Sequence, residues 1–134
     1  SKNKRLYMTK VLPKLLIVDD EEMVRLNLET FLEDEGFELI SAESGEDAVN
    51  MLRKITFNVG IIDMRLPDMD GQTLILKAYK INPKMQFIIH TGSLDYVLPK
   101  QLTEIGITTD QVCHKPISDM DALINKVHCL TLKS

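Results

Sequence analysis

The chain holds only two cysteines, no apolar run approaching the ~20 residues that cross a bilayer, and no concentrated stripe of basic charge. Each shortage removes a class of protein. Cys113 and Cys129 lie far apart without Cys-x-x-Cys spacing, which fits reduced thiols of a cytosolic protein better than a disulfide framework. Cys113 and His114 have no second ligand pair at finger-like spacing, so a structural zinc site is not expected, and the pair reads as ordinary residues of a strand. The start lacks the charged, apolar, small-residue order of a secretion signal. The expectation is a cytoplasmic protein without membrane association. Net charge is -4, and the basic residues are scattered except for Lys2, Lys4, Arg5 and Lys10. Direct nucleic-acid binding is therefore not expected.

What remains is a 134-residue chain, 44% hydrophobic and 27% charged, the profile of one globular domain. Residues 1–13 read as a frayed N-terminal extension, 14–130 as the domain and 131–134 as a tail. Leu15 to Val18 is a short continuous apolar run, the pattern of a strand buried on both faces. Val24, Leu28, Phe31, Leu32 and Glu35 follow at helical spacing, and Gly36 ends the helix. Phe37 to Ser41 is a second strand, and Ser44 with Asp47 opens a helix carrying Ala48, Val49 and Leu52. Val59 to Ile62 is the third strand, and a helix from about Gln72 runs towards Pro83. Gln86 to His90 is the fourth strand. A short helix lies between Leu98 and Gly106, since Pro99 belongs in a first turn. Val112 to His114 is a brief fifth strand, and Ser118 with Asp121 is a capping box for a last helix bearing Met120, Leu123, Ile124, Val127 and Leu130.

Strands alternating with helices at this spacing make an α/β, doubly wound parallel sheet, whose ligands bind beyond the carboxyl ends of its strands. At those ends stand Asp19 and Asp20, Asp63, Thr91 and Lys115. Singly each has an ordinary explanation: helix caps, turn residues, a solvated surface charge. Together they form a chemistry. Carboxylates converging on one edge repel unless a hard cation joins them, and an open oxygen-ligand set suits magnesium. A lysine supplies a second positive charge for a phosphate, a hydroxyl donates to it, and an ionised aspartate attacks phosphorus. Asp63 is the expected acceptor.

Val18-Asp19-Asp20-Glu21, the run Ile62-Asp63-Met64-Arg65-Leu66-Pro67-Asp68-Met69-Asp70-Gly71, Thr91-Gly92 and Lys115-Pro116 resemble the receiver domain of two-component response regulators, over about Lys14 to Leu130. The resemblance implies a flavodoxin-like, CheY-like sheet of five strands in the order 2-1-3-4-5. It implies that Asp63 is the phosphorylated residue, Asp20 a direct metal ligand beside Asp63, Asp19 a ligand through water, and the main-chain carbonyl of Arg65 another. The cation would be Mg2+, with Mn2+ or another divalent ion as a substitute. Lys115 would pair with the phosphoryl group, Thr91 would be the switch hydroxyl, and the Lys115–Pro116 peptide would be cis. The donor would be a sensor histidine kinase or histidine phosphotransfer protein. Such a domain is a signalling phosphoacceptor that catalyses its own phosphorylation and slow dephosphorylation. Its output is an altered surface for an unidentified protein effector, as a monomer or a phosphorylation-dependent dimer.

Several residues depart from the family's pattern. Val112 stands where an aromatic ring usually follows the switch hydroxyl inward. The stretch from Gly106 to Lys115 is about two residues longer than usual, making Ile107 to Asp110 an extended approach to the fifth strand. With the short fourth helix and His114 it is a candidate partner surface. Arg65 and Ser93 should flank the path of a hydrolytic water. His90 reads as a satisfied, partly buried histidine, and Met64, Met69 and Met85 as fillers of packing gaps. Two rivals are set against this reading. A haloacid-dehalogenase-type phosphatase needs a second aspartate where Arg65 stands. A receiver-like interaction module without phosphorylation usually loses one of the acidic, hydroxyl or lysine positions that are all kept here.

Overall fold

The computed structural model describes residues 12–134; the basic residues Lys2, Lys4, Arg5 and Lys10 and most of the expected extension lie outside them. Strand β1 (Lys14–Val18) is followed by α1 (Glu22–Asp34), β2 (Glu38–Ala42), α2 (Gly45–Leu52), β3 (Val59–Asp63), α3 (Gly71–Ile81) and β4 (Gln86–Thr91). A five-residue α4 (Lys100–Glu104), a 3-10 turn (Thr109–Gln111), β5 (Val112–His114) and α5 (Met120–Thr131) complete it. The strands form one parallel sheet in the order β2-β1-β3-β4-β5. The expected doubly wound architecture is the observed one.

Continuous apolar strands sit where both faces are covered. Leu16 and Val18 on β1, with Ile62 and Ile89, point into a core under α2, α3 and α4, where Ala48, Leu74 and Leu102 meet them. Leu15 and Ile17, with Ile61 and Ile88, point the other way against Leu28 of α1 and Leu123 of α5. The alternation of strand side chains thus divides one run between two cores. Truncating a side chain such as Leu16 to alanine would cost about 2–5 kcal/mol. Met85 is buried in the first core, and Met64 and Met69 pack at its edge, as fillers should.

Local chemistry sets the element ends. Gly36, at φ 89°, makes the left-handed turn that closes α1. Ser44 caps α2 by accepting from the Asp47 N–H. At α5 the expected cap is displaced by one residue: Asp119, not Ser118, accepts from the Ala122 N–H. An ionised carboxylate is the stronger acceptor at the positive end of a helix. One other expectation needs correction. Phe31 is 46% exposed on the outer side of α1, leaving Leu28 and Leu32 to bury that helix.

The approach to β5 is not extended. Thr108 and Gln111 close a reciprocal capping box around the 3-10 turn, and the buried Gln111 side chain donates to the Phe87 carbonyl at 2.8 Å. The apparent extra length is taken up by a turn tied to β4. The α5 end is tied too, since Asn58 donates to Ser134 Oγ while accepting from the Lys14 N–H.

Candidate functional site

The carboxyl ends of β1, β3, β4 and β5 bring Asp19, Asp63, Thr91 and Lys115 to one edge of the sheet, where Asp63, Thr91 and Lys115 line a cleft of about 470 Å³ together with Asp20, Glu21 and Arg65. Asp19, Asp63 and Thr91 are buried, and Asp20 and Glu21 are exposed on the rim. Lys115 ties the cleft together. Its Nζ lies 3.3 Å from Asp63 Oδ2 and 3.6 Å from Glu21 Oε1. It approaches Asp19 Oδ2 at 2.7 Å. The Lys115–Pro116 peptide is cis, and the Lys115 N–H donates to the Thr91 carbonyl at 2.8 Å.

The remaining carboxylate oxygens face backbone donors. Asp63 Oδ1 accepts from the Arg65 N–H at 3.2 Å, and Asp19 Oδ1 from the Glu21 N–H at 2.9 Å. Asp63 is pushed above the usual carboxylate range chiefly by burial, opposed by the Arg65 N–H, with the Asp19 charge adding and Lys115 opposing. For Lys115, burial works to lower the ammonium's value, but hydrogen bonding and charge from Asp19, then Asp63, outweigh it and leave the value raised. The lysine therefore stays charged at neutral pH.

Asp19, Asp20 and Glu21 can each offer a carboxylate oxygen within 4.8 Å of the others. With Asp63 across the cleft, this all-oxygen donor set suits a hard divalent cation. Glu21 was not among the sequence-derived candidates; its adjacency to the acidic pair was the available signal. Thr91 points its hydroxyl at its own loop, where Oγ1 accepts from the Ser93 N–H at 3.1 Å. Val112 is half-buried against the core beneath α4.

His90 departs from expectation. It is 3% exposed rather than partly buried, its Nδ1 lies 4.0 Å from Asp19 Oδ2, and its Nε2 has no partner among the described residues. Burial first, and the Lys115 charge next, lower its value to about 4 against the pull of Asp19, so the imidazole is neutral at neutral pH. Two further contacts were not visible in sequence. Asp68, in the loop after Asp63, receives the N–H groups of Gly45 and Glu46 at 2.9 and 2.8 Å, capping α2 from across the molecule. Tyr96, on the loop after Thr91, sets its hydroxyl 3.6 Å from Met64 Sδ, next to Asp63 in the chain.

The family model described as "Response regulator receiver domain" matches residues 15–128. Sporulation initiation phosphotransferase F of Bacillus subtilis is 31% identical over 98 residues, 72% of this chain and 77% of that protein. A cyclic di-GMP phosphodiesterase of Thermotoga maritima is 31% identical over 104 residues, 78% of this chain, but the match spans only 27% of its length. Among solved structures, a response regulator receiver domain protein from Clostridium thermocellum superposes with a TM-score of 0.79 at 26% identity, over 90% of this chain and 95% of that one.

Proposed function

Because the chain belongs to the response regulator receiver domain family, we propose that Asp63 accepts a phosphoryl group from a phosphohistidine and that the modified domain alters its binding to a protein effector. The observation that carries this reading is the placement of Lys115 Nζ between Asp19 and Asp63, inside an acidic cleft at the strand ends. Asp63 Oδ2 attacks phosphorus, the P–N bond to the donor imidazole breaks, and the imidazole leaves with its electron pair. Lys115 then faces the transferred oxygens, and the Thr91 hydroxyl, whose oxygen accepts from the Ser93 N–H, turns to donate its proton to one of them. Asp20, Asp63, the Arg65 carbonyl and, through water, Asp19 are the groups to hold a divalent cation. Bound Mg2+ supplies charge neutralisation for the carboxylates and the phosphoryl oxygens.

The donor class is a sensor histidine kinase or histidine phosphotransfer protein, and the reading places the domain, residues 14–130, with that donor in the cytoplasm. No helix among the described residues is long and apolar enough to cross a membrane. Incubation with Mg2+ and a small acyl phosphate, followed by intact mass, tests the proposal. A single phosphoryl adduct that Asp63→Asn fails to form is the expected result. No adduct from either a small donor or a kinase would favour the interaction module without phosphorylation.

A further inference from the structure

Asp20 is exposed, and its carboxylate has no hydrogen-bond or ion-pair partner among the described residues. Its direction is set by the main chain that carries it. That main chain is held by Asp19, whose N–H donates to the Ala42 carbonyl at 3.1 Å and whose carbonyl accepts from Arg25 Nη1 at 2.8 Å. Arg25 sits in the first turn of α1 and reaches back over the helix start to the tip of β1. Its side chain is only 15% exposed, and its other terminal nitrogen stands 3.8 Å from Glu43, in the loop after β2. The guanidinium fork thus holds one backbone carbonyl with one arm and a carboxylate with the other.

A peptide unit is planar, so holding the Asp19 carbonyl holds the plane that ends at the Asp20 Cα and with it the point from which that side chain departs. We propose that Arg25 is a positioning residue for the acidic pair, aiming Asp20 into the cleft beside Asp63. It touches neither the phosphoryl group nor the cation and acts through the Asp19–Asp20 peptide. This inference rests on the reading of the cleft as a divalent-cation site. The charge of Arg25 pulls in the opposite direction: removing a cation near an acidic cleft would, by charge alone, tighten cation binding. The two effects have opposite signs.

The test uses calorimetric Mg2+ titration of the whole chain, with Arg25→Met, which keeps the apolar stem, and Arg25→Lys, which restores charge and one donor. Loss of such supporting partners weakens metal sites by about 10–100-fold, so Arg25→Met should weaken Mg2+ binding about tenfold and Arg25→Lys should recover most of it. In phosphorylation by a small acyl phosphate, half-saturation by Mg2+ should rise in Arg25→Met while the rate at saturating Mg2+ holds. A merely structural role would lower the plateau with the folded fraction. Should Arg25→Met fail to fold, Arg25→Gln, which is neutral and shorter than the arginine fork, must weaken Mg2+ binding. Equal or tighter binding by the folded Met or Gln variant, beside a parent that binds, overturns this proposal alone. A parent that binds no Mg2+ overturns the cleft reading and this proposal with it.

Discussion

Gly71→Ala sets two effects of opposite sign against each other. Gly71 is the first residue of α3, its N–H bonded to the Met64 carbonyl at 3.0 Å. Replacing glycine by alanine in a helix is worth about 1 kcal/mol in favour of the variant. A Cβ at this position, however, would lie 2.5 Å from the Asp63 carbonyl oxygen and 2.7 Å from Met64 Cα, where ordinary contact begins at 3.4 Å. The Met64 methyl group, also at 2.5 Å, can swing aside; the backbone of Asp63 and Met64 cannot. Overpacking of this kind costs about 1–3 kcal/mol, and here it falls on backbone, so the upper half of that range applies. The net expectation is a loss of about 1–2 kcal/mol after the helix gain is subtracted. The displacement falls on Asp63, and a misplacement of roughly 1 Å at a reacting group costs on the order of 100-fold in rate. Urea denaturation followed by circular dichroism, since the chain has no tryptophan, reads the first number. The initial rate of adduct formation from a small acyl phosphate reads the second. An unfolding midpoint at or above the parent's, with a parental rate, would refute the reasoning.

Three other outcomes follow from the same geometry. His90, neutral in the fold at about 4 against 6.5 in the unfolded chain, contributes stability that is fully present above pH 6.5 and is lost as pH falls towards 4. That loss amounts to up to about 3 kcal/mol, so His90→Leu, studied without divalent cations, should show a shallower decline between pH 6.5 and 4; an unchanged slope would assign the decline to other groups. Asp68→Ala removes the two bonds that cap α2, and because those bonds hold the Asp68 carboxyl below its usual range, the variant should have a lower unfolding midpoint and faster amide exchange at Glu46. Unaltered exchange there would mean that Ser44 alone secures the helix start. Arg65→Ala should shorten the lifetime of the acyl phosphate by removing a long side chain from the rim of the cleft, as read by the decay of the adduct mass.

Much of the fold was legible because its signals are local. Leu15 to Val18 needed no long-range information to be read as a buried strand, and strand-helix alternation then placed Asp19, Asp63, Thr91 and Lys115 on one edge. What escaped was decided by tertiary contact. Helical spacing included Phe31 with Leu28 and Leu32, yet the covered stripe is narrower than the periodicity suggested. Ser118 and Asp121 had capping-box spacing, but a neighbouring carboxylate reached the helix N–H groups first. Ile107 to Asp110 read as extended because nothing in the text announced that Gln111 would bond to the Phe87 carbonyl. Arg25 was unreadable in the same way. Its partner is a backbone carbonyl, and a carbonyl has no letter in a sequence.

The Asp68 carboxylate has a consequence for how the molecule can be altered. The segment from Asp63 to Asp68 is anchored at one end by a strand and at the other by paired bonds to a helix on a different part of the chain. Its contour length is therefore a fixed dimension. An inserted residue must either release α2 or push Asp63 out of line. The exposed stretch around Leu94 and Val97 is tied back through the Tyr96 hydroxyl, 3.6 Å from Met64 Sδ, a weaker link than paired bonds to a carboxylate. A protein engineer seeking a place for a graft or a circular permutation would spare the loop that follows Asp63 and cut near Leu94 in the one that follows Thr91.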